Sequence, residues 1–393
     1  VRYRGAPFAI LASMTLAAGC GQANTAPSSA SIRQLDVSYS AVKFWEVGAS
    51  AAWNQLATSL EARRQIDATR LYVYLSLAQF RAAEAAGRVH PHAPTSSAIG
   101  AASATVLSGL FPADVAEIEA ALDAQAGATP WPGAQREDFA SGKEIGRAVG
   151  AAVLAFAARD RAGLANPGTP PIGPGYWVWN GGPIVRGNYR ARPFFLASDS
   201  QFRPSPPPAF GSPDYLAALA EVRTISDTRT PEQLAIAIFW NANQSGRSAA
   251  AMENLAVELI RTYHVRDAEA ARILFLMNAA AFDALVGCFD AKYHYWFIRP
   301  PQADPAITLP IGLPPHPSYP SAHSCVSGSI TGVLTAAFPS EADRLAAIAQ
   351  EASLSRLYGG IHYRFDMQAG LALGRSVAAL AWGSDLGEVA VLP

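Results

Sequence analysis

Proline decides where this chain can be helical. Residues 165–213 hold 11 of the 29 prolines, including Pro206-Pro207-Pro208, and eight more fall between residues 300 and 320. Each removes a backbone donor and collides with the preceding turn, so helix is excluded from most of both stretches. Around them Ala, Leu, Glu and Arg recur at helical spacing over 38–160, 231–240, 247–263 and 266–298, with further helices starting near residues 321, 341 and 362. Proline-bearing breaks at 90–94 and 129–133 divide the first block into antiparallel helices. No run alternates apolar and polar residues for any length, so the expected fold is all-α: a helical bundle with long proline-rich loops and little or no sheet. An irregular stretch as long as 165–213, carrying Tyr176, Trp177 and Trp179, is expected to lie over the core as a lid or wrap.

Charge and cysteine content exclude several classes. Thirty Lys plus Arg against 31 Asp plus Glu leave a net charge of −1, which rules out nucleic-acid binding through bulk charge. Charged residues make up only 16% and apolar ones 50%, so much of each helix surface must be buried. Three cysteines cannot form a disulfide framework. Cys288 and Cys325 flank the residues singled out below and could pair in an oxidising compartment if the fold brings them together, but the favoured reading keeps them buried and unpaired.

The first 20 residues read as an address. Arg2 and Arg4 precede an uncharged apolar run at 7–18, and Leu16-Ala17-Ala18-Gly19-Cys20 follows. This pattern is a bacterial signal peptide, residues 1–19, whose end resembles a lipoprotein signal with Cys20 as the lipidated residue. Ala17 stands where such signals carry Leu, and cleavage by an ordinary signal peptidase is the competing reading. Residues 20–37 then serve as a flexible tether and 38–393 as the helical domain. No other segment is long and charge-free enough to span a bilayer, so membrane contact is expected only through the N-terminal lipid anchor. The expected location is exported, periplasmic or on the outer surface.

The chemistry gathers in residues 288–370. Four of the seven histidines, His294, His316, His323 and His362, lie between Lys292 and Asp366. Lys292 and Arg299, seven residues apart near a helix end, are expected on one face about 10 Å apart along the axis, able to converge on one anion. Pro320-Ser321-Ala322-His323 marks a loop entering a helix, where free N–H groups attract a tetrahedral oxyanion. Arg356 adds a third cation, and Asp366, four residues beyond His362 on the expected helix turn, can orient its ring. Singly, each of these residues has an ordinary explanation, as a solvated cation or a satisfied core histidine. Jointly, in order and spacing, they favour an anion site. His294, amid Tyr293, Tyr295, Trp296 and Phe297, reads as a packing residue, and His90 and His92 as loop residues. There is no Gly-x-Ser-x-Gly elbow, His-Glu-x-x-His, Walker loop or Cys-x-x-Cys.

Lys292 with six residues before Arg299-Pro300, then Pro320-Ser321-Ala322-His323, then Ser355-Arg356 with five residues before His362 and three more before Asp366, resembles the three-part signature of the vanadium-dependent haloperoxidase and type 2 phosphatidic acid phosphatase superfamily. Arg192-Pro193-Phe194, Phe202-Arg203-Pro204, Ser212-Pro213-Asp214-Tyr215 and Arg229-Thr230-Pro231 also look like the region preceding the site in bacterial haloperoxidase-like members. The resemblance implies a vanadate cofactor held by Lys292, Arg299, Arg356, Ser321 and the Ala322 N–H, with His362 bonded to the metal and His323 as acid–base group. It implies oxidation of a halide by hydrogen peroxide. His316 stands where bromoperoxidases of the family carry His and chloroperoxidases Phe, which favours bromide or iodide; Ala322 replaces the usual Gly. The same residues would hold phosphate and hydrolyse a phosphate ester in the phosphatase branch, with His362 as nucleophile. A third reading is a surface lipoprotein that binds phosphate without catalysis. The oligomeric state stays open, a homo-oligomer being compatible with the sequence.

Overall fold

The computed structural model describes residues 48–64, 66–89, 95–127, 133–241, 247–387 and 389. The signal peptide, Cys20, the tether, and His90 and His92 lie outside the described residues. Among the described residues, five α-helices precede the first proline-rich stretch: α1 (Ala49–Arg64), α2 (Ala68–Val89), α3 (Thr95–Leu110), α4 (Val115–Gly127) and α5 (Gly133–Ala157). After it come α6 (Pro213–Thr228), α7 (Pro231–Phe239), α8 (Arg247–Thr262), α9 (Asp267–Tyr295), the single turn α10 (Pro300–Ala303), α11 (Ala322–Ala337), α12 (Ala342–Tyr358) and α13 (Arg364–Gly383). Among the described residues there is no strand, only an isolated bridge between Tyr176 and Phe297. The fold is all-α, as the proline pattern predicts.

Two helices stand outside the sequence expectation. α6 begins at the last proline of the rich stretch, because Pro213 occupies the first helical position, where its missing donor costs nothing. Ser212 caps it by accepting from the Tyr215 N–H at 3.3 Å. The single turn α10 starts at Pro300-Pro301 for the same reason.

α9 is the axis of the molecule. It packs against α2, α11 and α13, and its residues are buried at nearly every position from Ala270 to Tyr293. Such all-round apolarity marks a core helix rather than a surface one. Contrary to the expectation that no further segment could span a bilayer, α9 is long and apolar enough to do so, yet 89% of its apolar window is buried within the fold. Its few charges find partners inside the protein.

Those charges hold the wrap. Both Asp283 oxygens accept backbone N–H groups, from Phe194 at 2.8 Å, Phe195 at 2.7 Å and Leu196 at 3.0 Å. About two turns further on, Asp290 makes a two-point bond with Arg203 at 2.7 and 2.9 Å. Phe194, edge-on to Phe275 and Phe282 of α9, adds the apolar part of the seam. The irregular stretch is thus fixed along α9 by carboxylates that a core helix would otherwise have to bury unpaired, at a cost of several kcal/mol each.

α11 and α13 approach closely because glycine lines their seam. A Cβ on Gly370 would lie 2.6 Å from the Ser321 carbonyl oxygen, and one on Gly374 would lie 2.7 Å from the Ser329 nitrogen. A backbone bond from Ser321 N–H to the Asp366 carbonyl, 2.9 Å, ties the start of one helix to the first turn of the other. Two motif segments separated by 45 residues of sequence are brought together there.

Candidate active site

Lys292 sits in the last turn of α9. Trp296, in the left-handed region at φ 50°, ends the helix with its N–H on the Lys292 carbonyl at 2.8 Å. The expectation that Lys292 and Arg299 share a helix face is therefore corrected: α9 stops at Tyr295, and Arg299 is extended at φ −83°, ψ 150°. The proline after Arg299 excludes helical geometry for it. The two side chains converge because the chain turns back on itself.

All three cations are buried and none meets a carboxylate directly. Lys292 Nζ donates to the carbonyls of Pro317 and Ser318, both at 2.8 Å. Arg299 donates to the carbonyls of His316 at 3.0 Å and Ile361 at 2.8 Å, and to the rings of His362 and His316, each at 3.0 Å. Arg356, at the end of α12, donates to Ser355 Oγ at 2.9 Å and the Ala237 carbonyl at 3.1 Å.

These bonds fix the His362 tautomer. A guanidinium can only donate, so His362 Nε2, 3.0 Å from Arg299, must be the unprotonated nitrogen. Its Nδ1–H donates to Asp366 Oδ2 at 2.7 Å. His316 Nδ1 lies 3.0 Å from Arg299 Nη2 and 3.1 Å from the Pro317 carbonyl oxygen, and the His316 ring meets Phe289 edge-on at 5.3 Å between centroids. Asp366 is itself held by the Ser318 hydroxyl at 2.6 Å and the Tyr363 N–H at 3.2 Å. His362 does not lie on the same helix turn as Asp366, as the spacing suggested. It precedes α13 by two residues, and Asp366 reaches back to it from the first turn, across the Tyr363 N-cap.

Burial and crowding of positive charge set the electrostatics. Desolvation, followed by neighbouring cations, pushes Arg356 down to about 9. Burial likewise takes Lys292 down to about 8 and Arg299 to about 10. Burial raises the Asp366 carboxyl to about 6 against the pull of Ser318 and the cations. His362 and His316 are driven well below the usual histidine range, first by burial and then by the cations, so both rings are neutral. Three cations facing one carboxylate leave an excess of positive charge that an anion would neutralise.

Ser321 is the N-cap of α11, its Oγ accepting from the Ser324 N–H at 3.4 Å, which leaves its hydroxyl proton free to donate. The Ala322 and His323 N–H groups belong to the first turn, where a helix has no internal acceptors. His323 Nε2 donates to the Trp240 carbonyl at 2.7 Å, since a carbonyl can only accept. Burial, then the Arg356 charge, takes the ring down to about 3. Ala322 and His323 also line a cavity of about 260 Å³.

The structure thus joins Lys292, Arg299, His316, His362 and Asp366 in one hydrogen-bonded net, with Arg356, Ser321, Ala322 and His323 bordering it. His294 is exposed, edge-on to Tyr295, on the outward face of the last turn of α9, and is not packed inside as expected. Cys288 and Cys325 are free and buried, and the Cys288 thiol donates to the Pro320 carbonyl at 3.8 Å. Sequence reasoning missed Ser318 and Ser355, and the carbonyls of Ala237 and Trp240. Ser318 lies in the second proline cluster beside the motif, the one signal available; carbonyls carry none, because every residue has one.

A family model, the PAP2 superfamily, matches residues 271–386. No curated protein matches the chain. Among solved structures, the chain is similar to the first bacterial vanadium-dependent iodoperoxidase, at 25% identity and a TM-score of 0.69, over 84% of this chain and 94% of that one. An apo-type and a holo-type bacterial vanadium-dependent chloroperoxidase share the fold at 14% identity each. Their TM-scores are 0.64 and 0.59, over 80% and 90% of this chain and 92% and 95% of theirs.

Proposed function

The chain belongs to the PAP2 and vanadium haloperoxidase superfamily, and we propose that within it the protein is a vanadium-dependent haloperoxidase that oxidises bromide or iodide with hydrogen peroxide. The observation that carries this reading is the His362 ring: Nδ1–H locked on Asp366, Nε2 unprotonated, and three buried cations around it.

The donor set fits vanadate rather than a bare metal cation. Among the described residues no group of three or more His, Cys, Asp or Glu can chelate a metal. One nitrogen lone pair amid fixed cations suits a metal that arrives inside an oxyanion. Lys292, Arg299, Arg356, the Ser321 hydroxyl and the Ala322 N–H would hold the oxygens, and His362 Nε2 the metal. When bound, vanadate supplies the Lewis acidity that makes peroxide oxygen electrophilic towards halide. Asp366 keeps the His362 tautomer, and the Ser318 hydroxyl keeps Asp366 in place. His323 Nδ1 is the lone pair of that ring left to accept, and would take a proton from incoming peroxide and return it to the departing oxygen. Burial lowers this histidine most and the Arg356 charge next, and an anion in the cluster would offset the second of these.

His316, bonded to Arg299, supports bromide or iodide, and so does the 25% likeness to an iodoperoxidase. The unprotonated His362 Nε2 is also what a phosphoryl-transfer nucleophile needs, which keeps an acid phosphatase as the second reading. The pattern of residues 1–20 supports export with an anchor at Cys20. The test is triiodide formation and phenol-dye bromination by the purified protein with peroxide, before and after orthovanadate, beside hydrolysis of an aryl phosphate. Vanadate-dependent halide oxidation is expected. Hydrolysis alone, inhibited by vanadate, assigns the phosphatase reading instead.

A further inference from the structure

The cavity beside His323 is not part of the cation cluster: Lys292, Arg299, Arg356 and His362 do not line it. Its wall is formed by Met252 of α8, Ala281 and Leu285 of α9, and Val326 and Ile330 of α11. At about 260 Å³ it suits a one- or two-ring molecule and is small for anything larger. One carboxyl stands in this largely apolar wall, beside Tyr72, Asn278, Ser327 and His323. Glu253, 1% exposed, accepts from Asn278 Nδ2 at 3.3 Å through Oε2, while its buried Oε1 has no partner among the described residues.

An unsatisfied buried carboxyl oxygen is costly and is retained where something else satisfies it. We propose that this cavity is the organic acceptor site, taking a one- or two-ring aromatic alcohol whose ring lies along the apolar wall next to His323 and whose hydroxyl pairs with Glu253 Oε1 once the buried carboxyl turns towards it. The acceptor role rests on the haloperoxidase reading; the binding does not. A hydroxyl both donates and accepts, so it matches Glu253 in either protonation state. Burial takes Glu253 up to about 8, so at neutral pH it is a neutral acid, which a cationic or anionic ligand would not favour. An electron-rich ring is also what a hypohalous acid attacks. There the ring C–H and the HO–X bonds break, C–X forms, and the ring proton leaves with the hydroxyl oxygen as water.

The experiment uses the full chain with 2-naphthol as probe and 2-methylnaphthalene as its apolar counterpart, measured by equilibrium dialysis without vanadate. The parent protein is expected to bind 2-naphthol at least tenfold more tightly than the hydrocarbon. Ala281→Trp, which fills the cavity, should weaken 2-naphthol binding at least tenfold, and Ala249→Phe, placed on α8 at the same cavity, gives an independent filling should the first variant fail to fold. Glu253→Leu should abolish the preference while leaving hydrocarbon binding. Triiodide formation, which needs no organic acceptor, should stay within about twofold in the folded variants, whereas 2-naphthol halogenation loses its saturation. Undetectable binding to the parent, or binding indifferent to both filling variants, overturns the proposal. Equal loss of triiodide formation in all variants also overturns it, because the cavity would then be structural support for the anion site. Cavity-dependent binding with no triiodide formation in the parent overturns the acceptor role and the haloperoxidase reading together, and leaves a binding site for aromatic alcohols.

Discussion

Two buried regions meet at His323, and they handle polarity in opposite ways. The cation cluster is dense with charge, and each cation is bonded to backbone carbonyls, to histidine rings or to a neighbouring hydroxyl. The cavity is almost wholly apolar, and its one carboxyl keeps an oxygen without a partner. The cluster is organised for an anion before any anion arrives, the condition under which fixed charges cost no reorganisation. The cavity is organised by shape, with a few polar groups, Glu253 among them, to orient what enters.

Removing the ring at the centre of the cluster should separate the two most sharply. His362→Ala is expected to lower vanadate-dependent triiodide formation by at least about a thousandfold, while 2-naphthol binding in the cavity is unchanged; initial rates and dialysis on the same preparation check both. A cluster variant that also emptied the cavity would break the contrast.

A smaller effect follows from pH. Lys292, held down to about 8 by burial, is positive below that pH and neutral above it, so its contribution to anion binding is present at lower pH and lost as pH rises through about 8. Orthovanadate affinity, measured by titration at fixed ionic strength, should fall about tenfold between pH 7 and 9 after correction for the ionisation of vanadate itself. Lys292→Met should flatten that fall.

The smallest effect belongs to the cavity. Glu253 is raised from 4.5 to about 8, so the folded protein keeps a proton that the unfolded chain releases. That contribution is fully present below about pH 4.5 and is lost as pH rises towards 8. Glu253→Gln should therefore remove this pH dependence, stabilising the protein at pH 8 relative to its effect at pH 4.5. Thermal unfolding of both proteins at the two pH values checks it.

The contrast also explains what could be read from the sequence. Lys292, Arg299, His316, Ser321, His323, Arg356, His362 and Asp366 fall in one window, and their spacing shows because each lies at a helix end or beside a proline. The cavity draws Tyr72 from α2, Met252 and Glu253 from α8, Asn278 and Ala281 from α9 and Val326 from α11. Nothing local distinguishes Glu253 from any other glutamate in a helical pattern; only tertiary packing buries it. The all-α fold was legible from proline and periodicity. α6 was not, because proline at its first position looked like a continuation of the loop, although Ser212 was there as the cap.

One consequence of α9 concerns length. Ala281 and Lys292 are 11 residues apart, about three turns, so they share a side of the helix at a rise of roughly 16 Å. Leu285 and Cys288 lie between them. The helix is a ruler: it sets the span between the organic pocket and the charged cluster by backbone geometry alone. Substituting a side chain leaves that rise along the axis unchanged, and only inserting or deleting residues in the helix would alter it, so any redesign of the pocket inherits that spacing.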